Sequence, residues 1–411
     1  MSNIYTERRP VRAAQRQAAA IFLVALCLRP AITAVGPLLG QIGAGEHLGE
    51  TLLGVLGALP LLAFAAVSPL VHRVSGPLGA ERAILVALLL LAGGCVVRSY
   101  TGAPGLWLGT IVVGTAIAVG NVLVPVIIRR DYASHVSRAT GFYTAAITVA
   151  ASAASAVAVP LAAATDWRAA LAVWAVLALV IGAVWLPRAR AARAAAGQAR
   201  LAEEPAHPSV WRQPAAWLIT AFMGLQSTTF YVLVTWLPTI DTDSGSSAQA
   251  AGVHLFVFQV LGIAGGLTIP LVLRHSASQV TGAVVACAPM VAGVLGLLLA
   301  PGLIVVWAAV AGLGQGACLV VALSLISLRG RTHRETTHLS GMAQSLGYLL
   351  AAAGPVAAGT LAEHTGGWHA TLVLLAALAV TQLAFGALAG RRRRVAPAPG
   401  AAGPELHAAR T

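Results

Sequence analysis

Apolar runs of about twenty residues, broken by short polar intervals rich in Arg, Gly, Pro and acids, recur twelve times along the chain. They are too long for strands, and a helix needs about 20 such residues to cross about 30 Å of hydrocarbon. The pattern predicts membrane-spanning helices over 17–39, 51–71, 83–98, 106–128, 140–161, 169–187, 215–238, 249–273, 279–300, 303–328, 339–361 and 369–389. The expected fold is an all-α membrane protein with no soluble domain left over. The polar start, with Arg8, Arg9, Arg12 and Arg16 before the first run, lacks a small-residue cleavage site after that run and does not read as a cleavable secretory signal.

The longest polar interval, 188–213, divides the runs six and six. It predicts a bundle over 1–187, a cytoplasmic linker over 188–213, a second bundle over 214–390 and a disordered basic tail over 391–411. The halves share a weak repeat. Arg129-Arg130-Asp131 is followed by Gly141, and Arg329-Gly330-Arg331 by Gly341, twelve residues separating Arg from Gly in both. A duplicated six-helix unit suits a secondary transporter whose substrate site lies at the midplane between the repeats.

Composition narrows the function. Only 9% of residues are charged, against about 25% in soluble domains, which excludes a soluble globular enzyme. The net charge of +13 does not indicate a nucleic-acid binder, because the basic residues, all Arg, punctuate apolar runs instead of forming one face. With both termini cytoplasmic in a cell inner membrane, 23 of the 26 Arg fall in cytoplasmic segments, as the positive-inside rule requires. Arg98 and Arg168 are expected in outer loops, and Arg29 alone in mid-span; no acidic residue lies inside a predicted span. Cys27, Cys95, Cys287 and Cys318 are dispersed, so neither a disulfide framework nor a metal site is expected, nor any cofactor. An intramembrane enzyme is disfavoured: no nucleophile–base pair or ligand cluster occurs at depth.

The candidate chemistry centres on Arg29, about 18 Å into its span at 1.5 Å per residue. A mid-bilayer Arg costs roughly 2.5–3.5 kcal/mol on the insertion scale, and no intramembrane carboxylate is expected to answer it. Its planar fork suits a small oxyanion. Pro30 removes a backbone donor beside it and predicts a discontinuous first helix. Asn121, Tyr143, Gln226, Tyr231, Gln259, Gln315, Gln344 and Tyr348 are the candidate hydrogen-bonding and aromatic lining, and His254, nearer the outer mouth, is a candidate proton site. For any single amide the competing reading is interhelical glue worth about 0.6 kcal/mol. The expected partners are a small-molecule substrate of anionic character and the lipid bilayer, with the protein a monomer.

The same stretches resemble a known family. Leu28-Arg29-Pro30-Ala31-Ile32-Thr33 with Val35-Gly36-Pro37-Leu38, and Gly120-Asn121-Val122-Leu123-Val124-Pro125 with Arg129-Arg130-Asp131, are similar to the cyanate-permease and nitroimidazole-transporter (CynX/NimT) branch of the major facilitator superfamily. So are Phe222-Met223-Gly224-Leu225-Gln226-Ser227 with Phe230-Tyr231 and Trp236-Leu237-Pro238, and Leu339 to Ser345 with Gly347-Tyr348. The resemblance covers about 17–389. It implies twelve helices in two six-helix halves and transport by alternating access, with small anions or small nitrogenous compounds as cargo; efflux of small drugs or metabolites is the alternative. One departure lies in the loop after the second span, where the superfamily's Gly-rich gating motif normally carries an Asp. Here His72 to Arg82 contains none, leaving Arg73 and Arg82 to pair across the halves, with Arg129 and Arg130 the other gating candidates.

Overall fold

The structure is a computed structural model that describes residues 20–132, 136–192, 210–275, 279–329 and 333–391. Twelve helical segments are long and apolar enough to cross a bilayer, and the described residues contain no strand. In chain order they are α1 (Ala20–Glu46), α2 (Glu50–Val67), α3 (Ala80–Tyr100), α4 (Gly102–Asp131), α5 (Val136–Ala164), α6 (Trp167–Ala191), α7 (Pro214–Asp243), α8 (Ala248–His275), α9 (Gln279–Leu299), α10 (Ile304–Arg329), α11 (His333–Thr365) and α12 (His369–Gly390). The expected linker lies mostly outside the described residues; α6 runs on to Ala191, and Val210–Arg212 is a short 3₁₀ turn. The polar N-terminus and nearly all of the basic tail also lie outside them.

The helices form two six-helix halves, α1–α6 and α7–α12. Because the number of crossings is even, the start of α1 and the end of α12 share one face, here the terminal face; the opposite side is the far face. Small residues set how closely the helices pack, as expected where lipid supplies no hydrophobic drive between them. In α8 and α10, Gly262 and Gly316 meet backbone to backbone, as do Gly265 with Leu313 and Gly312 with Phe258. A side chain at Gly316 would overlap the Gly262 carbonyl.

Contact between the halves runs through α2 with α11, α5 with α8, and α7 with the 3₁₀ turn Gly36–Leu38 of α1. These contacts crowd toward the far face. Gly54 abuts the Pro355 carbonyl, Gly359 the Glu50 carbonyl, Gly36 the Val234 carbonyl, and Gly252 the Ser155 carbonyl. The Thr51 N–H donates to Glu363 Oε2 at 2.9 Å. At the terminal face the described ion pairs stay within the first half: Arg130 to Glu81 at 2.5 Å, Arg130 to Asp131 at 2.9 Å, and Arg188 to Asp131. On the second half, Arg329 donates to the Ala389 carbonyl at 2.8 Å.

None of the described ion pairs at this face crosses between the halves. Arg82 does not reach across the halves; its Nε donates to the Ala189 carbonyl of its own half at 3.4 Å. Arg73 is exposed and, among the described residues, joins no ion pair; Arg129 is exposed as well. Arg130 is held by Glu81 of α3, which a reading of loop charges alone passed over.

Candidate functional site: a broken helix and its arginine

The first helix breaks where Pro30 predicts. Over 26–28 the backbone N–H groups reach back three residues, Leu26 to Leu23, Cys27 to Val24 and Leu28 to Ala25, and Arg29 leaves helical geometry at φ −134°. A four-residue turn, Pro30–Thr33, follows, then the 3₁₀ turn Gly36–Leu38, then helix again. Pro30 and Pro37 each lack a backbone donor, so a continuous i−4 ladder cannot form through this stretch. The interruption is tolerated at membrane depth because the stretch is buried against other helices that bond to its polar groups. Thr33 Oγ1 donates to the Ala151 carbonyl of α5 at 3.0 Å, and Arg98 Nη1 donates to the Ala31 carbonyl at 2.7 Å.

Arg29 is half-buried at the break. Its Nη1 donates to the Tyr231 hydroxyl of α7 at 2.8 Å, joining the two halves at mid-span. The guanidinium carbon lies 5.6 Å from the Tyr231 ring centre and 5.8 Å from that of Phe230, within the range of cation–π attraction. Tyr143 and Tyr348 lie within electrostatic reach of the same cation. Tyr231 and Tyr348 meet edge to face with centres 6.5 Å apart, and Phe64 does the same with Tyr348 at 5.6 Å. The fork is thus ringed by aromatic walls from both halves, and among the described residues no carboxylate pairs with it. Guanidinium carries five N–H donors, and the tyrosine occupies one.

The other candidates divide. Tyr143, Tyr231 and Tyr348 join Arg29. Gln259 Nε2 donates to Ser155 Oγ at 2.8 Å, a further bond between the halves. Gln226 and Gln315 form a seam inside the second half, Gln315 Nε2 donating to the Gln226 carbonyl at 3.1 Å; the buried Gln382 extends it by accepting from Thr229 at 3.2 Å. Gln344 donates to Ser340 of its own helix at 2.8 Å. Asn121 is half-buried on α4 and, among the described residues, bonds none of the cluster.

Two expectations about charge are corrected. Arg98 does not lie in an outer loop: it sits in the last turn of α3, 2% exposed, its Nη2 also reaching the Leu171 carbonyl at 3.4 Å while its Nε has no partner. With Tyr231 it lines a cavity of about 20 Å³ between α1, α2, α3, α4 and α7, room for a water molecule and too small for an organic solute. Nor are the spans free of acid. The α7 helix continues through Pro238 to Asp243, which carries Asp241 inside with its side chain fully buried. Asp241 Oδ2 lies 2.5 Å from His254 Nδ1 on α8. An Arg at a span's end and an acid after a Pro both read as loop from hydropathy; a 3.6-residue count carried past Pro238 is the signal that keeps Asp241 on the inward face. Cys287 and Cys318, far apart in sequence, have their sulfurs 3.4 Å apart between α9 and α10.

Comparison with known proteins agrees with the architecture. The Major Facilitator Superfamily profile matches residues 21–355. A 2-nitroimidazole transporter of Escherichia coli (strain K12) is 38% identical over 381 residues, covering 92% of this chain and 96% of the relative. The cyanate transport protein CynX of the same strain is 26% identical over 351 residues, covering 85% and 90%. Among solved structures, the nucleoside transporter NupG superposes with a TM-score of 0.74 at 12% identity, covering 91% of this chain and all of that one, a likeness of fold.

Proposed function

Because the chain belongs to the major facilitator superfamily, and is therefore a multi-pass membrane transporter and not an enzyme, we propose that it carries a small planar solute with an oxyanion or similar acceptor group, and that Arg29 is the residue that holds it. The carrying observation is a mid-span guanidinium with one donor taken by Tyr231, aromatic rings around it, and no carboxylate bonded to it among the described residues. A second positive charge, Arg98, buried nearby against the same broken helix, raises the potential felt by an anion there. The relatives' activities, cyanate transport and 2-nitroimidazole transport, share a small, acceptor-bearing cargo; a flat ring such as nitroimidazole suits the faces of Phe230, Tyr231 and Tyr348. A greasy drug-efflux cavity fits less well, since each of these rings is arranged around a cation.

In this reading the monomer works by alternating access, 1–187 rocking against 214–390, with the terminal face cytoplasmic. The crowding of inter-half contacts toward the far face then makes the present state one that is sealed outward. The test is counterflow in proteoliposomes with radiolabelled cyanate and 2-nitroimidazole. Arg29→Gln is expected to abolish exchange of the accepted probe while the protein stays monodisperse and helical. Arg29→Lys keeps the charge, loses the fork, and is expected to retain a small fraction of activity. Near-normal exchange by Arg29→Gln overturns the assignment.

A further inference from the structure

From the geometry at the far end of α7 and α8 we propose that Asp241 and His254 form a proton-binding site that couples solute movement to the pH gradient. This rests on the transport reading above and adds to it the identity of the coupling ion. Asp241 is 0% exposed, its Oδ2 is 2.5 Å from His254 Nδ1, and its Oδ1 has no partner. A buried ionisable pair within a membrane span is expensive to keep without a function. The His254 side chain is 19% exposed, so one edge of the ring stays open while the other is committed to the carboxylate.

With Nδ1–H donating to ionised Asp241, His254 Nε2 is the base. It accepts one proton from water to give an imidazolium whose charge the carboxylate balances, taking the pair from −1 to neutral. Release reverses the step, and nothing is oxidised or reduced. A monovalent anion carried with that one proton crosses without net charge.

The pair is placed to sense the gate. On α8, Gly252 packs on the Ser155 carbonyl and Gln259 bonds Ser155 Oγ; seven residues apart, these positions share one face, turned toward the first half. His254 lies about 200° round the helix from Gly252, by the helical repeat, and faces α7. Protonation therefore changes the packing behind the helix whose front seals the far face. The other charged groups at that end are committed elsewhere or exposed. Asp243 accepts from Trp368 Nε1 at 2.7 Å, Glu46 pairs with Arg168 at 2.7 Å, Glu363 accepts from the Thr51 N–H, Glu50 is half-buried at the start of α2, and His47, His364 and His369 are exposed. The far halves of α5, α9 and α10 contribute no titratable side chain.

The experiment uses purified full-length protein in proteoliposomes with the same two probes. Wild type is expected to accumulate the accepted probe under an inwardly directed proton gradient, up to about tenfold for one pH unit at one proton per anion. His254→Gln and Asp241→Asn are expected to lose that accumulation while keeping counterflow, which needs no net proton movement. Gradient-driven accumulation that persists in both variants, or wild-type counterflow with no accumulation under the gradient, overturns the coupling proposal and leaves the transport reading standing. Absence of counterflow in wild type with either probe counts against the transport reading instead.

Discussion

Arg29 and Arg98 are both deep and both lack a carboxylate partner among the described residues, yet their surroundings assign them opposite duties. Arg98 gives its hydrogen bonds to backbone, closing the Ala31 carbonyl that the break in α1 leaves open. Removing it strands that carbonyl, a loss of about 1–3 kcal/mol, so Arg98→Gln is expected to lower the thermal midpoint clearly where Arg29→Gln lowers it little. Size-exclusion chromatography after graded heating distinguishes them, and equal losses in both would contradict the division. In the proposed site Tyr231 positions Arg29, whose Nη1 donates to its hydroxyl. Tyr231→Phe keeps the ring and deletes a charge-assisted bond worth about 1.5–3 kcal/mol, so probe binding, read as a ligand-induced shift in melting, should weaken about tenfold or more with the fold intact. Arg29, Pro30 and the aromatic residues were legible because charge in mid-span and a Pro beside it stand out from an apolar run. Arg98 was not: its neighbours Ser99 to Gly102 are polar, and only the packing of α3 against α1 and α6 reveals that its guanidinium turns inward.

At the scale of the helix, hydropathy located all twelve crossings but not their ends, because the polar residues that finish a helix are indistinguishable in sequence from those that begin a loop. The end of α7 shows the consequence. Pro238 and the two Asp after it suggest a stop, but the helix has room to continue against α8 and α11, and the five extra residues supply the acid that pairs with His254. The partnership could not be read from spacing, since a loop and a helix reversal separate 241 from 254. Glycines mark the complementary case, positions obvious in sequence whose neighbours were not. Gly316 allows α8 and α10 to touch at the backbone, so Gly316→Val must part them, an overpacking penalty of about 1–3 kcal/mol. A control exists in Gly341, where nothing lies within 4 Å of an added Cβ. Gly316→Val is expected to reduce the thermal midpoint and Gly341→Val to leave it within error.

Across the whole molecule, the two halves are each braced at the terminal face by their own contacts and meet mainly toward the far face, the arrangement expected of rigid bodies that pivot about a midplane site. Arg29 and Tyr231 join the halves at mid-span, so the proposed rocking has to pass through their hydrogen bond. Locking the far face should therefore stop turnover without removing the site. Thr51 and Glu363 touch across the halves, and the four native cysteines are buried, so a Thr51→Cys, Glu363→Cys pair can be joined by a short reducible cross-linker without stripping the protein of its own thiols. The cross-linked protein is expected to bind the probe, as a shift in melting, but to lose counterflow, and to recover it when the link is reduced. The matching pair Glu46→Cys, Arg168→Cys sits at the same face but inside the first half, and joining it should leave transport near normal. Turnover that survives the first link would mean the halves do not part there, and the closure seen between α2 and α11 would then be a fixed seam instead of a gate.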